Sequence, residues 1–154
     1  MTKHIVFDCD GTLMDTSRSR YSLFPGIKEL IIELSATCEL YVWTARDRAS
    51  TIRYLQEFEI YKYFNSVCTI DDAEGKPHIE GLKLLLGDAA KNSICVIGDT
   101  SNDILGAKNF GVLGIGAAWA QDVRVQNLKH YGADFIVSDP AECSTLIKQN
   151  LKES

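Results

Sequence analysis

The sequence predicts an α/β fold, a parallel sheet covered by helices on both faces, and three observations lead to it. Short apolar runs recur along the chain. Segments with apolar residues at helical spacing fill the gaps between them. The runs themselves are near-continuous in apolar character rather than alternating, as strands covered on both faces are. In chain order the strands are expected at residues 4–7, 39–43, 66–70, 93–97, 111–115 and 134–137. The helices are expected at 26–36, with Ile27, Leu30, Ile31 and Leu34 on one face, and at 47–58, with Ile52, Leu55 and Phe58. A third covers 78–91, with Ile79, Leu82, Leu85 and Leu86, and the rest cover 101–109, 121–131 and 140–150. The last opens on Asp139-Pro140, a capping residue followed by proline at the first helical position. Alternation of this kind implies right-handed crossovers between parallel strands. In such sheets, ligands bind outside the carboxyl ends of the strands. The informative residues should therefore follow the strands.

A chain of 154 residues is expected to form one domain, 1–154, large enough for a core without staples. The net charge of −5, with acids and bases intermixed, argues against a general nucleic-acid binder, which needs a basic face. The five cysteines form no CxxC pair and no zinc-like cluster, and read as small buried hydrophobes of a reducing compartment. The N-terminus runs straight into a strand, and no apolar stretch approaches the roughly 18 residues of a membrane span, so a cytoplasmic protein is expected.

Asp8 ends the first expected strand and Asp10 follows two residues later, with Cys9 between them pointing elsewhere, so both carboxylates can face one site. Gly11 permits a sharp turn and Thr12 can bond back to the loop. Two carboxylates this close repel. With no fixed Lys or Arg partner expected nearby, a divalent cation is the natural complement, and hard oxygen ligands favour Mg²⁺. The fourth strand ends in Gly98-Asp99-Thr100-Ser101-Asn102-Asp103, which brings Asp99 and Asp103 to the same sheet edge as candidate metal ligands. Thr44 follows the second strand; its hydroxyl and the amides of Ala45 and Arg46 are expected to cradle an anion. Lys76, in Gly75-Lys76-Pro77, offers an ammonium to neutralise phosphate and the attacking aspartate. Together these supply nucleophile, metal, acid/base and cationic clamp, the parts of a phosphoryl-transfer site.

This order of motifs, Asp8-x-Asp10-Gly11-Thr12-Leu13, then Thr44, Lys76, and Gly98-Asp99 with Asp103, resembles the haloacid dehalogenase superfamily, and its phosphatase branch in particular. The resemblance spans residues 5 to about 119. It implies a three-layer, Rossmann-like core and a Mg²⁺-dependent phosphomonoester hydrolase. Asp8 would be the phospho-accepting nucleophile and Asp10 the general acid, then base. Asp8, the Asp10 carbonyl and Asp99 would hold Mg²⁺, with Asp103 in or next to that shell. Thr44 and Lys76 would hold phosphoryl oxygens, and Asn102 would support the loop. An acid at position 10 favours ester hydrolysis over dehalogenation, since a halide leaves without a proton.

Only Asp15 to Phe24 separates the first motif from the next helix, and one helix, a turn and a strand separate Thr44 from Lys76. A cap domain has no room in either interval. An open site admits a macromolecular phosphorylated substrate, closure by a partner subunit such as a second copy of the chain, or loose discrimination among small phosphoesters. Arg18, Arg20, Tyr21, Arg46 and Arg48 are candidates for its rim. Trp119 lies where relatives carry Gly-x-x-Trp-Gly, but Ala120 replaces the final glycine. Two rival classes remain: a receiver-type phospho-acceptor, and a phosphate-binding module without turnover.

Overall fold

The structure, a computed structural model, describes residues 2–153. Six parallel strands form one sheet in the order β5-β4-β1-β6-β7-β8. They are β1 (Lys3–Phe7), β4 (Cys38–Trp43), β5 (Ser66–Cys68), β6 (Ile94–Gly98), β7 (Leu113–Ala117) and β8 (Phe135–Val137). A two-stranded antiparallel hairpin, β2 (Met14–Asp15) and β3 (Ser22–Leu23), stands apart from it. The helices are α1 (Ile27–Ser35), α2 (Arg48–Glu57), α3 (Glu80–Leu86), α4 (Ser101–Phe110), α5 (Val125–His130) and α6 (Glu142–Asn150).

Strand residues alternate between two cores, which is why the runs read as continuous. Ile5, Phe7, Leu40, Val42 and Ile97 face one layer with Ile27, Ile31, Leu55 and Ile147 of α1, α2 and α6. Val6, Tyr41, Trp43 and Val96 face the other with Leu82, Leu86, Ala107 and Phe110 of α3 and α4. The chain builds outward from β1 through β4 to β5, then returns to β6 on the other side of β1 and continues to β8. The register pairs Phe7 with both Val42 and Ile97. Asp8, Thr44 and Asp99 therefore emerge side by side at the carboxyl edge, where the strand order reverses.

Every expected strand and helix is present, with shifted ends. The fifth strand begins at Leu113 rather than at 111, because Gly111 takes φ +80° to end α4. The third stops at Cys68: the Asp72 carboxylate accepts from both the amide and the hydroxyl of Thr69 at 2.8 Å, which turns the chain. The helix expected over 78–91 is confined to Glu80–Leu86 between a turn at Gly75–His78 and Gly87. The one expected over 121–131 forms only Val125–His130, with no side-chain cap before it. Asp139 accepts from the Ala141 amide at 3.0 Å ahead of α6, which starts at Glu142. The β2–β3 hairpin carried no alternating pattern and was not expected; two-residue strands are too short to show one. No described helix is long and apolar enough to cross a membrane. All five cysteines are unbridged, four of them buried.

Candidate active site

Asp8 sits at the tip of β1, its amide held by the Ile97 carbonyl at 3.0 Å, so the two central strands fix its backbone. Cys9 turns into the core, and its carbonyl accepts from the amides of Thr12, Leu13 and Met14. This knot reverses the chain at Gly11, which has φ +83° and no room for a side chain: a Cβ there would lie 2.1 Å from an oxygen of Asp99. Gly98 meets the same limit at the end of β6, where a Cβ would lie 2.3 Å from Cγ of Asp103. Two glycines thus let three aspartates converge. Oxygens of Asp8, Asp99 and Asp103 lie within 4.8 Å of one another.

Lys76 enters this group from the loop before α3, behind a cis Lys76–Pro77 peptide. Its ammonium donates to Asp8 Oδ1 at 2.8 Å and to Asp103 Oδ1 at 2.5 Å, and lies 5.0 Å from the Trp43 ring centre. Asp103 is fully buried, and its other oxygen accepts from the amide and hydroxyl of Thr100. Thr12 donates its hydroxyl to Asp99 at 3.1 Å, while its carbonyl accepts from the Trp119 indole at 2.8 Å. Trp119, whose role the Ala120 substitution had left open, thereby braces the loop carrying Asp8 and Asp10.

Burial raises the Asp8 carboxyl well above the usual carboxylate range, and Asp103 adds to the effect while Lys76 opposes it. Burial likewise raises Asp99. Burial alone would lower the Lys76 ammonium, but Asp103 and Asp8 outweigh it and hold it above the ordinary lysine range. Ionised together, the three carboxylates against one ammonium carry two negative charges, which a divalent cation would neutralise. The donor set, all hard oxygens, fits Mg²⁺.

Asp10 lines the same cleft but stands outside this carboxylate group. Contrary to the expectation that no fixed cation stands near the acid pair, Arg46 forks onto it. Nε lies 2.9 Å from Oδ1 and Nη2 lies 2.9 Å from Oδ2. The Asp10 bond is the main cause that holds the guanidinium above its ordinary range. The expected anion cradle is also smaller than the sequence implied. The Arg46 amide closes on Thr44 Oγ1 at 3.1 Å, and the Thr44 amide continues the sheet to the Cys68 carbonyl at 3.0 Å. Thr44 and Ala45 line the cleft, and among the described residues neither the Thr44 hydroxyl nor the Ala45 amide donates a hydrogen bond. Asp8, Asp10, Thr44, Ala45, Lys76 and Asn102 share one open cleft of about 610 Å³ with Arg46. Of the candidate rim residues, Arg48 is committed to Asp72 at 2.7 Å and to the Val67 carbonyl, while Arg18 and Arg20 are exposed on the hairpin.

What sequence reasoning missed are the partnerships across the cleft, Arg46 with Asp10 and Lys76 with Asp103. Each joins residues at least 27 positions apart. No local spacing signals them.

The fold is shared with solved structures of low sequence identity. A haloacid dehalogenase-like family protein from Streptococcus pneumoniae superposes with a TM-score of 0.81 at 22% identity, covering 94% of this chain and 97% of that one. A conserved haloacid dehalogenase-like protein from Agrobacterium tumefaciens gives 0.86 at 14% identity, covering 97% and 99%. Among curated proteins, the pyrophosphatase PpaX of Bacillus cereus (strain B4264) is 34% identical over 97 residues, 61% of this chain and 44% of that protein. The Bacillus mycoides protein of the same name is 28% identical over 109 residues, 69% of this chain and 50% of that protein. The chain thus spans about half the length of the curated relatives it matches. Residues 18–117, which carry Thr44, Lys76, Asp99 and Asp103, match the model of the haloacid dehalogenase-like hydrolases, and the chain belongs to that family.

Proposed function

We propose that the chain is a Mg²⁺-dependent phosphomonoester hydrolase that passes the phosphoryl group through Asp8. The observation that carries this reading is the position of Asp8: a backbone-fixed carboxylate on the cleft floor, held by Lys76, beside Asp99, with a second acid two residues on. Asp8, Asp99 and the Asp10 carbonyl would hold the cation. Both oxygens of Asp103 already accept protein hydrogen bonds, and it would stand in or next to that shell. When bound, Mg²⁺ offsets the charge gathering on the phosphoryl oxygens.

In the first step an Asp8 oxygen attacks phosphorus and the bond to the leaving oxygen breaks. Asp10, as the carboxylic acid, gives that oxygen its proton, and an alcohol departs. In the second step water attacks the phosphorus of the aspartyl-phosphate. Asp10, now the carboxylate, takes the water proton; the Asp8–phosphorus bond breaks and inorganic phosphate leaves. Lys76, the Thr44 hydroxyl and the Ala45 amide hold the transferring oxygens. Membership of a hydrolase family favours turnover over the receiver-type and binding-only readings.

The test is release of inorganic phosphate from nitrophenyl phosphate by the purified chain. Release that requires Mg²⁺ is expected. No release with Mg²⁺, Mn²⁺ or Co²⁺ would overturn the reading. The substrate is then sought among sugar phosphates, nucleotides, phosphoglycolate and phosphopeptides. Pyrophosphate belongs in the panel because the matched relatives are named for it.

A further inference from the structure

Arg46 stands in the cleft where a phosphate ligand is expected, yet each of its three nitrogens is already engaged inside the chain. Nε and Nη2 go to Asp10, and Nη1 to Ser50 Oγ at 3.2 Å. Its guanidinium carbon lies 5.4 Å from the ring centres of both Tyr21 and Tyr54, whose own centres are 5.2 Å apart. Tyr21 precedes β3 in the hairpin and Tyr54 belongs to α2. Ser50 is itself fixed by Asp47, the residue that caps α2, through its amide at 2.9 Å and its hydroxyl at 2.6 Å. Two separate elements, the hairpin and α2, therefore immobilise one guanidinium, and the surface it turns toward Asp10 is a two-pronged fork.

Asp10 needs such a support. Unlike Asp8, its side chain rests on a loop beyond the strand, is partly exposed, and makes no side-chain hydrogen bond other than those from Arg46 among the described residues. A general acid works only when its oxygen is within hydrogen-bonding reach of the leaving oxygen, and a displacement of about 1 Å is costly.

We propose that Arg46 is the positioning residue of Asp10 rather than a phosphate ligand, and that Tyr21 and Tyr54 hold Arg46 in that role. The short hairpin then has a task in the reaction: through Tyr21 it steadies the group that protonates the leaving oxygen. This rests on the hydrolase reading, but it fails separately. Lysine at position 46 keeps the charge and loses the fork.

The test compares kcat/KM, which reports the chemistry only as far as the first ester cleavage, on two substrates. One is glycerol phosphate, whose alkoxide needs a proton to leave. The other is dinitrophenyl phosphate, whose acidic phenol leaves without one. In Arg46→Lys a loss on the order of 10²-fold is expected on glycerol phosphate, carried by kcat, with a loss at least about tenfold smaller on the dinitrophenyl ester. Tyr21→Ala is expected to skew the two substrates in the same direction by a smaller factor, and it carries the test if Arg46→Lys does not fold. Equal losses on both substrates, or a loss confined to KM, would overturn the role and restore Arg46 as a phosphate ligand. A parent protein inactive on both would instead overturn the hydrolase reading.

Discussion

Asp8→Asn is expected to lower phosphate release by at least about 10³-fold while leaving the metal-free protein as stable as the parent, or more so. The amide is nearly the shape of the carboxylate but cannot attack phosphorus. The stability half of this expectation comes from the neighbours. Asp8 is buried beside Asp103 and Asp99, and burial together with those charges disfavours its ionised form. A folded-state pKa raised in this way means that ionisation at neutral pH opposes folding; an asparagine carries no such charge. Lys76 keeps its bond to Asp103 in the variant. Thermal melting with and without Mg²⁺ checks this. The metal-free melting temperature should hold or rise, and the increment gained on adding Mg²⁺ should shrink, because one cation ligand has gone. Loss of activity with a gain in stability is the mark of a site whose charges are kept for chemistry rather than for folding.

The neighbouring substitution, Lys76→Met, should cut activity as deeply and move stability the other way. Lys76 is the buried cation that Asp8 and Asp103 share, and removing it leaves two carboxylates facing each other with no counter-charge. Breaking a buried ion pair from one side costs about 3–5 kcal/mol. In a domain of this size that corresponds to a melting temperature lower by about 10 °C. Adding Mg²⁺ should recover more of that loss than it adds to the parent, since the cation takes over the neutralising role. Activity should fall on the order of 10²–10³-fold even with Mg²⁺ saturating, because the transferring phosphoryl oxygens lose a fixed donor. Equal destabilisation by both substitutions, read from the same melts, would contradict this picture of the charges.

The sheet was legible because its signal is local. Ile5-Val6-Phe7 and Ile94-Cys95-Val96-Ile97 are apolar on both faces, and each of those faces meets a helix layer. Once the strands were placed, the site followed: Asp8, Thr44 and Asp99 each stand just beyond a strand, and the register of β1 against β4 and β6 aligns them. Element ends were less legible, because they depend on single local bonds that set no period, such as the Thr69 amide to the Asp72 carboxylate three residues on. The β2–β3 hairpin has two residues per strand and packs by Leu13, Met14 and Leu23, too few to set a period. The charge partnerships were least legible of all. Arg46 reads in sequence as a rim arginine, and only the fold shows that Asp10 lies within its reach. Trp119 is the same case: its indole bond to Thr12 spans 107 positions.

The central claim, that Asp8 carries the phosphoryl group, has a direct measurement. The chain is mixed with Mg²⁺ and nitrophenyl phosphate, quenched in acid during turnover and treated with borohydride, which reduces an acyl phosphate to an alcohol and so converts the aspartate that bore it into homoserine. Peptide mass spectrometry then locates that residue. Homoserine at position 8, absent when substrate is omitted, is the expected result. Turnover with no homoserine anywhere, or with homoserine at another aspartate, would contradict the account.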